Sequence, residues 1–172
     1  PSGVSISAES STTICSGNSI TFIATPTNGG SDPLYQWRVN GINVGANSSN
    51  GTFTSTDLQD GQVVSVRLIS NLTDCGSGNP VYSNNITVIV NPVSNVNAGG
   101  AIAAICQGGT TTALGGSFGG GATSAVWTDG GAGGSFANNS GSNPGNTTYT
   151  ASASAPASIT LTLTTSGGSC GS

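Results

Sequence analysis

A cysteine–tryptophan–cysteine frame occurs twice in the chain, and it limits the folds open to it. Cys15, Trp37 and Cys75 make the first copy; Cys106, Trp127 and Cys170 make the second. The words around the leading cysteine repeat too, Ile14-Cys15-Ser16-Gly17 against Ile105-Cys106-Gln107-Gly108. Tryptophan follows cysteine by 22 residues (15 to 37) in one copy and by 21 (106 to 127) in the other. A repeat of roughly 90 residues is the size of one small β-domain. The four cysteines are the only ones in 172 residues, two per copy.

The frame predicts two modules, residues 1–92 and 93–172, closed by Cys15–Cys75 and Cys106–Cys170 disulfides, with Trp37 and Trp127 as core anchors. Modules this small bury a limited share of their surface, so a cross-link matters. Closing a loop of about 60 residues contributes on the order of 4 kcal/mol in the chain-entropy picture. Paired cysteines persist in oxidising compartments, which points to secretion; in a reducing compartment the same residues would be buried thiols.

Charge is scarce. Arg38 and Arg67 are the only cationic side chains against six acids, giving a net charge of −4. That balance disfavours nucleic acid and anionic membrane surfaces as partners. No apolar run approaches the roughly 20 residues of a bilayer span, so no membrane insertion is expected.

The 28 glycines and abundant Ser, Thr and Asn would suit a disordered chain. Strand-length blocks of alternating apolar residues argue instead for a turn-rich all-β protein. In the first module these blocks are Val4 to Ala8, Ser19 to Thr25, Leu34 to Asn40, Ile42 to Val44, Thr52 to Ser55, Val63 to Ser70 and Tyr82 to Val90. Ile20, Phe22 and Ala24 share a face; so do Tyr35, Trp37 and Val39, and Val64, Val66 and Leu68. Asn40-Gly41 is a tight-turn signal between strands.

Residues 91–100 read as a short boundary. In the second module Ala101 to Ile105, Thr110 to Phe118, Ser124 to Thr128, Thr147 to Ser152 and Ser158 to Thr164 read as strands. Gly115-Gly116 interrupts one of them, and Phe136 anchors a glycine-rich loop. After Cys75 the first module continues to a final strand, whereas only Gly171 and Ser172 follow Cys170. The expected fold class is all-β, two tandem immunoglobulin-like β-sandwiches, the second lacking its final strand within this chain. Either continuing residues or another chain would supply that strand.

At this level the stretches I-C-S-G-N-S-I-T-F, Y-Q-W-R-V-N-G-I-N-V-G and L-Q-D-G-Q-V-V-S-V-R-L-I-S-N resemble the immunoglobulin-like repeats of large secreted surface proteins of gliding and related Bacteroidota. A-L-G-G-S-F-G-G-G-A-T-S-A-V-W and T-Y-T-A-S-A-S-A-P-A-S-I-T-L-T-L-T-T resemble a companion PKD-like or immunoglobulin-like repeat of the same proteins. The resemblance implies export by the type IX system and a place in a long adhesin or filament. It carries over no catalytic residue.

Catalytic chemistry is poorly provided for. Without histidine there is no Ser-His-Asp triad, and without lysine no Schiff base or P-loop lysine. Cysteine spacings of 60 (15 to 75) and 64 (106 to 170) do not fit zinc knuckles. Calcium is the one metal to weigh, because hard oxygen ligands suit loop carboxylates. The candidates are Asp57 with Asp60, then Asp32 and Asp129, set against turn-forming roles for the same residues. Tyr82 and Tyr149 would stack on sugars or pack in a sheet. Asn-x-Ser/Thr triplets at Asn47, Asn71, Asn85 and Asn146 arise by chance in such a composition.

The expectation is a non-enzymatic stalk repeat whose partners are neighbouring repeats of the same long protein. The alternative is a module binding surface glycans or proteins through inter-strand loops.

Overall fold

The computed structural model describes residues 1–72 and 79–171, and the chain forms two units, Pro1–Asn91 and Pro92–Ser172. Both are all-β.

In the first unit the strands are β1 (Gly3–Ala8), β2 (Thr13–Cys15), β3 (Ile20–Thr27), β4 (Leu34–Val39), β5 (Ile42–Asn43), β6 (Thr52–Ser55), β7 (Val63–Ile69), β8 (Val81–Tyr82), β9 (Ile86–Thr87) and β10 (Ile89–Asn91). One sheet runs β1-β3-β6; the other runs β5-β4-β7-β8, with β9 also on β7. The short pair of β2 and β10 is parallel. Period-two alternation dictates which side of each sheet turns inward. Ile20, Phe22, Val64, Val66, Leu68 and Val88 are essentially fully buried in one continuous core. Burying a side chain of this size contributes about 1.5–3 kcal/mol as an upper estimate. Trp37 packs its ring 5.6 Å from Phe53 and 6.5 Å from Phe22. Asn40 and Gly41 both have positive φ, 50° and 76°, as the two-residue hairpin between β4 and β5 requires.

The second unit contains β11 (Asn95–Asn97), β12 (Ser117–Gly119), β13 (Ser124–Thr128), β14 (Ser135–Ala137), a 3-10 turn at Pro144–Asn146, β15 (Thr148–Thr150) and β16 (Thr162–Ser166). These pair as β11–β12, β13–β16 and β14–β15, all antiparallel. Its core is split. Leu114, Ala125, Trp127 and Leu163 form one cluster; Tyr149, Ala151 and Ala155 form another, and Phe136 touches both.

Several expectations fail in this unit. The stretch read as a boundary carries β11. Ala101 to Ile105 is not a strand; among the described residues its backbone has no hydrogen-bonding partner to make it one. Thr110 to Phe118 contributes only its end to β12, plus an isolated bridge from Thr110 to Thr150. A Cβ on Gly116 would lie 2.7 Å from both Trp127 and Leu163, so the glycine is there to admit the indole. Of Ser158 to Thr164, only the part from Thr162 is paired.

The cysteines also differ from expectation. Cys106 is a free, exposed thiol, so the Cys106–Cys170 bridge is not formed. With no opening strand to carry it inward, Cys106 stays at a surface turn, its carbonyl accepting from the Gly109 N–H at 2.8 Å. Cys170 is buried, and Cys15 and Cys170 are both disulfide-bonded. The expected Cys15–Cys75 pairing involves Cys75, which lies outside the described residues.

Candidate functional site

The most chemically distinctive surface is the outer face of the sheet formed by β4, β7 and β8. Gln36 pairs with Arg67, Arg67 with Tyr82, and Arg38 with Ser65. Residues directly opposite one another in a ladder share a face, so both arginines of the chain and Tyr82 stand together. Tyr82 is 55% exposed. The Arg38 guanidinium carbon lies 5.1 Å from the centre of the Tyr82 ring, a cation–π geometry. Arg38 Nη2 also donates to the Gly41 carbonyl of the adjoining hairpin, which fixes the guanidinium over the ring.

Beneath them Ser65 is buried, although it points away from the main core. Gln36 is buried as well: its amide donates to the carbonyls of Trp37, Val44 and Gly45 at 3.1–3.2 Å. The Nε of Arg67 is buried without a hydrogen-bond partner among the described residues. A shallow depression of about 470 Å³ opens between Arg38, Asn40, Ser65, Tyr82, Ser83 and Asn85. Chemically this is a flat aromatic–guanidinium platform with amide and hydroxyl edges. Such a surface suits stacking of a sugar ring or bidentate capture of a carboxylate.

The other sequence candidates are dispersed. Asp60 Oδ1 accepts the Val90 N–H at 2.9 Å, tying the corner before β7 to β10. Asp57 Oδ1 accepts from the Thr56 hydroxyl at 3.3 Å. Among the described residues no three acidic or cysteine side chains converge as a metal cluster. Asp129 accepts from the backbone of Gly131 and Gly134 and from the Tyr149 hydroxyl, at 2.9–3.1 Å. The Gly134 N–H, ahead of the other donors, holds its carboxyl below the usual aspartate range. Tyr149 is 2% exposed; burial, and then the hydrogen bond to Asp129 and its charge, push its phenol up. Tyr149 is thus a packing residue, whereas Tyr82 is open to a ligand. Trp37 and Trp127 both sit in cores.

Sequence reasoning missed the Arg38–Arg67–Tyr82 platform. Alternation already placed Arg38 and Arg67 on outward faces, but joining Tyr82 to them depends on β7–β8 pairing, which no local pattern signals. No family model matches the chain, and no curated protein matches it.

Proposed function

We propose that this chain is a non-catalytic, force-bearing repeat segment of a long secreted cell-surface adhesin, with neighbouring repeats of the same protein as its partners. The observation that carries the reading is the parallel pairing of β2, near the start of the first unit, with β10 at its end. Pulling the two ends of such a unit apart slides one strand along the other. The cross-strand bonds from Ile89 N–H to Thr12 O and from Ser16 N–H to Asn91 O, each 2.9 Å, are then loaded together rather than one after another. The oxidised cysteines favour a secreted setting, and the resemblance to Bacteroidota surface repeats supplies the adhesin context.

Single-molecule pulling of the full chain tests this. Ile89→Pro deletes the N–H to Thr12 at a half-exposed site and is expected to lower the unfolding force of the first unit sharply. Leu68→Ala, which removes core volume but no bond of this pair, is expected to lower it less for an equal loss of stability. An unchanged force in Ile89→Pro would refute the mechanical role.

The Arg38–Tyr82 platform favours a second reading, a module that binds acidic glycans or proteins. It lies on a sheet face rather than on the inter-strand loops. A glycan-array signal lost in Tyr82→Ala would support it.

A further inference from the structure

The repeated Ile-Cys word makes the same turn in both units. Asn18 N–H bonds the Cys15 carbonyl at 3.0 Å, and Gly109 N–H bonds the Cys106 carbonyl at 2.8 Å. Gly17 and Gly108 hold the turn at φ of 84° and 73°. In the first unit the residues leading into this turn, Thr13–Cys15, are paired in parallel by Ile89–Asn91. The same final segment reaches across to β7, where Ile86 opposes Val64 and Thr87 opposes Val63, and Val88 between them is fully buried.

The tryptophan register transfers these positions to the second unit. Trp37 pairs with Val66 and Trp127 pairs with Leu163, so Val64 corresponds to Leu161 and Val63 to Thr160. Both landing edges of the bridging strand are therefore present, Ala104–Cys106 on one side and Thr160–Leu161 on the other. Neither edge is occupied. Among the described residues the backbones of Gly100–Ile105 and Pro156–Thr160 make no hydrogen bond. Between them lies an open groove of about 710 Å³, floored by Trp127, Tyr149 and Leu161 and edged by Ile102, Ile105 and Ile159. Ile102 and Ile105 are 40% and 37% exposed. No lining residue is charged, so an uncharged apolar segment is the complementary occupant.

We infer that this groove is a strand-acceptor site. It takes an extended, uncharged segment of a partner polypeptide, alternating β-branched apolar residues in the manner of Ile86–Val90. That segment pairs in parallel with Ala104–Cys106 and lays one apolar side chain on Trp127 and Tyr149. Main-chain bonds supply affinity and the apolar pocket supplies register, as in β-strand addition generally. Six residues of strand span about 20 Å.

Cys106 lines the groove with a free thiol, so it reports occupancy. The probe is a synthetic peptide of the first unit's own sequence from Ser83 to Asn91, added to the full chain. At saturation it is expected to slow maleimide labelling of Cys106 and amide exchange across Ala101–Ile105 by about tenfold or more, as a cooperative strand would. A peptide with aspartate at the position of Val88 is expected to do neither. Ile105→Pro removes the N–H equivalent to that of Ile14, the donor that alternates with the Thr12 carbonyl and the Ser16 N–H along the parallel ladder, from an exposed, unbonded segment. It is expected to abolish protection while the unit stays folded by circular dichroism. The inference is overturned if millimolar peptide protects neither probe. It is equally overturned if protection survives Ile105→Pro, which would mark an unspecific apolar cavity. Protection that rises with protein concentration and no peptide would assign the groove to a second copy and overturn it too.

Discussion

Trp37 in the first unit stacks among Phe22 and Phe53, and its indole N–H has no hydrogen-bond partner among the described residues. Trp127 in the second unit donates its N–H to the Pro144 carbonyl at 3.0 Å and faces glycine, with Gly116 against the ring. Equivalent residues thus anchor two kinds of interior. The first is continuous and built from β-branched and aromatic side chains. The second is small and divided, and relies on polar ties such as Asp129 to Tyr149 and Asn139 to the Trp127 backbone at 2.9 Å. Repeating a sequence frame does not repeat a core; the residues between the landmarks decide how much apolar volume is available.

Four measurements would break or sharpen this contrast. The largest effect is expected from Phe22→Ala, which empties the centre of the continuous core and should destabilise the first unit by about 3–5 kcal/mol. Hydrogen exchange read separately over the two units should show the second unit unaffected. Next is Gly134→Ala. A Cβ there would overlap the Tyr149 phenol, so overpacking should cost the second unit about 1–3 kcal/mol. A neutral result in a denaturant titration would mean that the divided core has slack.

The third compares Trp37→Phe with Trp127→Phe. Both lose ring volume, but only the second breaks an indole hydrogen bond, leaving the buried Pro144 carbonyl with only the longer bond from the Thr147 N–H at 3.3 Å. It should cost about 1 kcal/mol more, and equal losses in paired melts would dissolve the distinction. The smallest effect concerns acid. The Asp129 carboxyl is held below its ordinary value, so its contribution to stability is present above the unfolded aspartate pKa. It is lost as pH falls through the lower folded value. The melting temperature of the second unit should therefore drop in that acidic window, and the drop should be shallower in Asp129→Asn.

Local periodicity guided much of the first unit, although the stretch Tyr82 to Val90, read as one strand, is divided among β8, β9 and β10. Ile20, Phe22 and Ala24 on β3, and Val64, Val66 and Leu68 on β7, turn inward as their alternation demands. The Asn40-Gly41 hairpin forms where its turn chemistry sits. In the second unit the same reasoning assigned Ala101 to Ile105 to a strand. The run Ala101-Ile102-Ala103-Ala104-Ile105 is apolar throughout, but a strand exists only where another backbone meets its donors and acceptors. The free Cys106 follows from the same cause, and the Arg38–Arg67–Tyr82 face was legible only in part, because β8 joins it through pairing.

The sequence alone determined an all-β chain, its strand periods and its tight turns, because steric preference and alternation act over a few residues. Tertiary structure decided which edges are paired, which cysteines are oxidised, and that the second unit carries an open groove. Those outcomes depend on contacts between residues far apart in the chain, and local pattern does not encode them.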